Sequence, residues 1–157
     1  MSRSPLEHPA NAGLRRRFEH RELRAGLAPL TRPDDVEQPY LTLGTHPDLV
    51  ARLWDELAAS LTDDCRVVFY GTPALMHPAT GVVFAFAGGT HTYAMCLPEP
   101  ERAVAIAAGA TRVHRYPAGQ PDFDLAEIGP EWLFGKWLPA EPHWCVAAFQ
   151  FAGRRSP

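Results

Sequence analysis

The chain has 157 residues, of which 46% are hydrophobic and 21% are charged, and its formal net charge at pH 7 is −3. This length and composition are typical of one globular domain with a packed core, and they exclude a wholly disordered chain. Residues 1–32 carry seven arginines and three glutamates, a balance of +4, whereas residues 33–157 carry eight basic and 15 acidic side chains, a balance of −7. Nucleic-acid binding depends on neutralised phosphates, so we expect it through the N-terminal segment or not at all.

The sequence offers no sign of a membrane segment or of an oxidised or metal-bound cysteine site. No stretch approaches the run of about 20 apolar residues that crosses a bilayer, and the first residues show no secretory signal. The three cysteines, Cys65, Cys96 and Cys145, lack CxxC spacing, which favours buried, reduced thiols. We therefore predict a cytoplasmic protein that makes no membrane contact and binds no metal or cofactor.

The N-terminal part of the chain differs in composition from the rest. Residues 1–40 contain five prolines and seven arginines but few apolar residues. Leu14 and Phe18 lie on one side of a short helical pattern, and a helix of this length is marginal without packing. We predict that residues 1–40 form a flexible Arg/Pro-rich arm that adds little to stability, and that residues 41–157 form a single α+β domain.

The clearest element is an amphipathic helix that begins near residue 47. Pro47 suits the first turn of a helix, and Thr45 or His46 is in position to cap it. Apolar residues then recur at spacings of three and four, at positions 49, 50, 53, 54, 57 and 61. This pattern predicts a helix that buries Leu53 and Leu57. We expect both to pack on small side chains of a neighbouring hairpin: Val83, Ala85 and Ala94.

Four strands are predicted over residues 65–70, 74–77, 82–87 and 90–97, which are rich in β-branched and aromatic residues and are separated by glycine and proline. The Gly88-Gly89 dipeptide predicts a two-residue loop between the last two strands. In that register the large side chains share one face of the hairpin and the small ones share the other. The predicted pairs are Phe84 with Tyr93, Phe86 with His91, and Val82 with Met95.

The remaining elements complete an α+β domain. A helix is predicted over residues 100–109, where a glycine ends it, and strands over 111–116 and 131–138 flank an irregular segment. A closing helix follows over residues 142–152. This order predicts an antiparallel sheet of four to six strands with helices packed mainly on one face.

Residues 49–152 resemble the TfoX amino-terminal domain family, to which the YjbR-type fold is related. The motifs that carry the resemblance are YGTPAL (70–75), GVVFA (81–85), LPEPERA (97–103), AAGA (107–110) and YPAG (116–119). The resemblance implies a small bacterial α+β domain associated in some members with the regulation of competence. It implies no catalytic residue.

The candidate binding site is the aromatic face of the hairpin. Tyr93 lies on that face with His91 beside it, and Arg112 and His114 on the next predicted strand would supply polar contacts to an acidic ligand. The alternative is that these aromatic residues form core. The histidines lack the spacing of metal ligands, and no cysteine or serine lies in a catalytic motif.

These observations predict a non-catalytic domain with a regulatory role that binds a protein partner or a small ligand. Two alternatives stay open from the sequence. One is a small enzyme or ligand-sensing domain with its site in an aromatic cleft near His91 and His114. The other is association with nucleic acid through the arginine-rich N-terminal arm.

Overall fold

The computed structural model describes residues 7–18, 27–28, 45–88, 92–115, 119, 123–135 and 142–155. Helices in this part of the chain are α1 (Ala12–Phe18), α2, α3 (Glu101–Ala107) and α4 (Pro142–Gly153), where α2 begins as an α-helix over Pro47–Ala51 and continues as a π-helix over Arg52–Leu57. Single 3-10 turns span Pro9–Asn11, Asp63–Cys65 and Leu125–Glu127. The strands are β1 (Leu27–Ala28), β2 (Arg66–Phe69), β3 (Thr72–Met76), β4 (Val83–Gly88), β5 (Thr92–Cys96), β6 (Val113–His114), β7 (Phe123–Asp124) and β8 (Trp132–Gly135).

The strands form one antiparallel sheet and a separate short ribbon. The sheet has the order β1-β2-β3-β4-β5-β8, and β6 pairs with β7 alone. Helix α4 packs on β4, β5 and α2 on one face of the sheet, and α1 covers part of the other face together with residues 123–128. The α+β prediction is therefore confirmed. No described helix combines the length and apolar character needed to span a bilayer.

Helix α2 has the predicted cap and the predicted buried stripe. The Nδ1 atom of His46 accepts a hydrogen bond of 3.1 Å from the amide of Asp48, which satisfies one of the free donors at the start of the helix. Leu53 and Leu57 are both fully buried, and Trp54 beside them donates from Nε1 to the carbonyl of Ala74 at 3.1 Å. The helix is thus fixed to the sheet by apolar contact and by one buried hydrogen bond.

The predicted register of the β4–β5 hairpin is wrong. Tyr93 pairs with Ala87 and not with Phe84, and Gly88 belongs to the ladder, where it pairs with Thr92. The pairs of this register join a large residue to a small one: Ala85 with Met95, Phe86 with Ala94, and Ala87 with Tyr93. Such pairs fill both faces of the sheet without crowding, and the burial of each large side chain favours this register over the glycine-turn signal. The predicted partner of Phe86, His91, lies outside the described residues.

An irregularity in β4 divides its aromatic residues between the two faces. The pairing with β3 shifts between Leu75, which faces Ala85, and Met76, which faces Val83. The shift leaves Phe84 as an extra residue, so it packs in the same cluster as Ala85, whereas Phe86 packs in the cluster on the opposite face. Leu53 and Leu57 therefore share their cluster with Ala85 as predicted, but not with Val83 or Ala94.

Residues 7–18 lie within the predicted arm and pack on the sheet. Leu14 is 1% exposed and Phe18 is 4% exposed, and both belong to the cluster that contains Phe86. Asn11 is fully buried, where its Nδ2 donates to the carbonyl of Gly81 at 2.8 Å and its Oδ1 accepts from the amide of Val83 at 2.9 Å. This segment is part of the core. Apart from β1, the rest of residues 1–40 lies outside the described residues.

Candidate functional site

The four residues predicted to bind a ligand do not form one exposed site in the described structure. Tyr93 is 1% exposed in the cluster beneath α2 and α4, and burial raises the pKa of its hydroxyl. Arg112 is exposed, so it does not share a surface with Tyr93. His91 lies outside the described residues, as does the side chain of His114, whose backbone pairs with Phe123 in the β6–β7 ribbon.

The aromatic residues on the other face of the sheet form a closed cluster. The ring of Phe86 lies 5.3 Å from that of Phe18 and 5.4 Å from that of Trp132, measured between centroids. Phe123 and Phe134 meet edge to face at 5.4 Å, and all five rings are buried. Packing at these distances is typical of a core, so the aromatic side chains of the hairpin do not line a cleft.

A shallow depression of about 220 Å³ lies between α1 and the segment that follows β7, and it is lined by Gly13, Arg16, Arg17 and Glu127. The guanidinium carbon of Arg17 lies 3.9 Å from the centroid of the Phe123 ring, which places the cation over the aromatic face. This contact attracts the cation to the negative face of the ring and limits its motion. Arg17 is thus held at the wall of the depression by a buried aromatic residue.

Within the described part of the chain, no residue forms an ion pair with Arg16, Arg17 or Glu127. The described residues that line the depression therefore carry two positive charges and one negative charge. Arginine presents several N–H donors in a plane, which suits carboxylate and phosphate oxygens.

Gly13 brings α1 close enough to form this depression. A Cβ atom built at Gly13 would lie 2.4 Å from the carbonyl oxygen of Ile128 and 2.7 Å from its Cα, both of them backbone atoms. Only glycine permits this approach of helix to backbone. The contact sets Arg16 and Arg17, in the same helix, beside Glu127 in the segment that Gly13 touches.

The described cysteines are held in the packed interior of the protein, and His77 is partly buried. Burial raises the pKa of the Cys96 thiol to about 12 and that of the Cys145 thiol to about 12, which keeps both protonated at neutral pH. His77 stacks on Phe149 at 4.4 Å and accepts from the amide of Ala79, and burial lowers its pKa. Within the described part of the chain, no group of three histidine, cysteine or acidic side chains is placed to hold a metal ion.

Helix α3 exposes two apolar side chains. Only Ala105 of this helix is buried, whereas Val104 is 56% exposed and Ile106 is 49% exposed. Residues two positions apart in a helix point to different sides, so these side chains do not form one apolar patch.

Comparison of the chain with known protein families, with curated proteins and with solved structures found no match. The resemblance to the TfoX amino-terminal domain family therefore stays a prediction. Among the described residues, the depression beside α1 is the candidate site. The sequence signals it through three consecutive arginines at positions 15–17, but the composition of residues 1–40 is typical of a flexible arm and not of a binding site.

Proposed function

We propose that this protein is a non-catalytic domain that binds an oxyanion, carboxylate or phosphate, of a small ligand in the depression beside α1. One observation carries the proposal: Arg16 and Arg17 line a depression in which neither is neutralised by an ion pair with a described residue. Charge-assisted hydrogen bonds from guanidinium groups are the usual means by which proteins hold such anions.

The buried chemistry of the chain favours binding over catalysis. A cysteine nucleophile has to be accessible and largely ionised, whereas Cys96 and Cys145 are buried and their pKa values are raised to about 12. The alternative of an enzyme in an aromatic cleft has less support, because Phe84 and Tyr93 are part of the core. Regulation by binding accords with the role that the TfoX-like resemblance implies.

Calorimetric titration with inorganic phosphate tests this proposal. We expect weak binding, in roughly the millimolar range of Kd, because solvent screens charges at an open site. Arg16→Gln and Arg17→Gln should each weaken binding severalfold, and added salt should weaken it further. Arg16 is exposed, so its substitution should leave the melting temperature unchanged.

Arg52→Gln is the matched control for these variants. Arg52 is a partly exposed arginine of α2, on the opposite face of the sheet, where it pairs with Glu56 at 3.4 Å. Its substitution should not alter the Kd for phosphate. Loss of binding in Arg52→Gln equal to that in Arg16→Gln would mean that overall charge, and not the depression, attracts the anion.

A further inference from the structure

We infer that the depression beside α1 selects a small zwitterion, a ligand that carries an ammonium group as well as its oxyanion on a short carbon skeleton. This inference rests on the proposed function. It concerns the fourth lining residue, Glu127, which a site for simple anions does not explain.

Glu127 is exposed, and its carboxylate accepts hydrogen bonds but donates none. It lines the same depression as Arg16 and Arg17, and within the described chain it forms no ion pair with either. A purely anionic ligand held by the arginines is repelled by this carboxylate. An ammonium group on the ligand is attracted by the same carboxylate. A lining with both positive and negative side chains therefore fits a ligand that carries both charges.

The size of the depression agrees with a small ligand. Its volume of about 220 Å³ is below the roughly 300–1,000 Å³ of sites for drug-sized molecules. Gly13 lies in close contact with the backbone of Ile128, and Arg17 is held over the Phe123 ring, so these two lining residues have little freedom to rearrange. A free amino acid has the required charges within this volume.

The test compares L-glutamate with glutarate, which shares its carbon skeleton and both carboxylates but lacks the ammonium group. The readout is the ratio of the two affinities, measured by calorimetry on the full chain. Glu127→Gln should lower the glutamate-to-glutarate affinity ratio by about four- to tenfold, since the ammonium loses an attraction and the dianion loses a repulsion. The same variant should bind phosphate about two- to fivefold more tightly.

Glu56→Gln, an exposed glutamate of α2 on the opposite face of the sheet, is the matched control and should leave the ratio unchanged. An unchanged ratio in Glu127→Gln would overturn the inference, as would weaker phosphate binding by that variant. If phosphate binds and Arg16→Gln abolishes it while the ratio does not move, only the zwitterion inference fails. If neither phosphate nor glutamate binds wild-type protein, the proposed function fails with it.

Discussion

Substitution of Gly13 by alanine tests the close approach of α1 to the backbone of Ile128. Gly13 is the second residue of α1, and the higher helix propensity of alanine would by itself favour the helix by up to about 1 kcal/mol. The structure predicts the opposite sign. The new Cβ would lie 2.4 Å from the carbonyl oxygen of Ile128, whereas ordinary contact begins at 3.4 Å, so the two backbones would have to separate by about 1 Å.

The magnitude follows from what that separation disturbs. Neither contact atom is a flexible side chain, so relief requires movement of α1 or of the Ile128 segment, and overpacking of this kind costs about 1–3 kcal/mol. Movement of α1 also loosens Leu14 and Phe18, which are buried on the sheet. For a domain of this size the cost corresponds to a fall in melting temperature of roughly 2–12 °C.

Urea denaturation followed by tryptophan fluorescence measures the effect, with two variants of the same helix as references. Leu14→Ala should cost about 2–5 kcal/mol, the range for a fully buried leucine, and Arg16→Ala should change stability by less than about 0.5 kcal/mol. If Gly13→Ala stabilises the protein, helix propensity decides the result and α1 does not approach Ile128 as described.

Three further predictions concern the rest of the core. Leu53→Ala should lower the free energy of unfolding by about 2–5 kcal/mol, against less than about 0.5 kcal/mol for Arg52→Ala in the same helix, and equal small effects in denaturation would mean that the stripe is exposed. Removal of residues 1–18 should lower the melting temperature by about 10 °C or more, because it exposes the aromatic cluster to solvent. An unchanged melting temperature would support the prediction that this segment is a flexible arm that adds little to stability. Burial raises the pKa of Cys96 and Cys145 from 9.0 to about 12. Protonated thiols therefore favour the folded state fully below pH 9 and progressively less as pH rises towards 12. Stability should decline over that range, less steeply when both are replaced by alanine, and both thiols should resist a thiol reagent at pH 8 until the chain unfolds.

Local patterns were enough to predict most of the elements. The cap at His46 and the apolar stripe through Leu53 gave α2, and the glycine at 109 gave the end of α3. These signals act within one or two turns of the chain, so periodicity detects them. The register of the β4–β5 hairpin was missed because two effects outweighed the glycine pair. One is the alternation of large and small partners across the strands, and the other is the extra residue at Phe84, which the pairing with β3 imposes.

The candidate site escaped prediction because its supports are distant in sequence and are not apolar. Asn11 anchors the N-terminal segment through hydrogen bonds to the backbone of Gly81 and Val83, which are separated from it by 70 and 72 positions in the sequence. Gly13 acts by the absence of a side chain against Ile128. Neither residue contributes to a hydrophobic pattern, so the sequence of this segment is typical of a polar arm. Leu14 and Phe18 are nevertheless buried in the core.

Helix α1 links the fold to the proposed site, and this has a thermodynamic consequence. The same seven residues cover the aromatic cluster and supply the two arginines of the depression. A ligand that bridges Arg16 and Glu127 binds only the state in which α1 is packed on the sheet. It stabilises that state by a free energy that grows with the logarithm of the ligand concentration. A variant that weakens the packing of α1 but does not line the depression, such as Leu14→Ala, should therefore bind in proportion to the fraction of molecules in which α1 is packed on the sheet. Because the ligand binds only molecules in which α1 is packed on the sheet, saturating ligand should recover part of the stability that the substitution removes. Leu53→Ala, on the opposite face of the sheet, should instead lower the stability of the fold without altering the affinity.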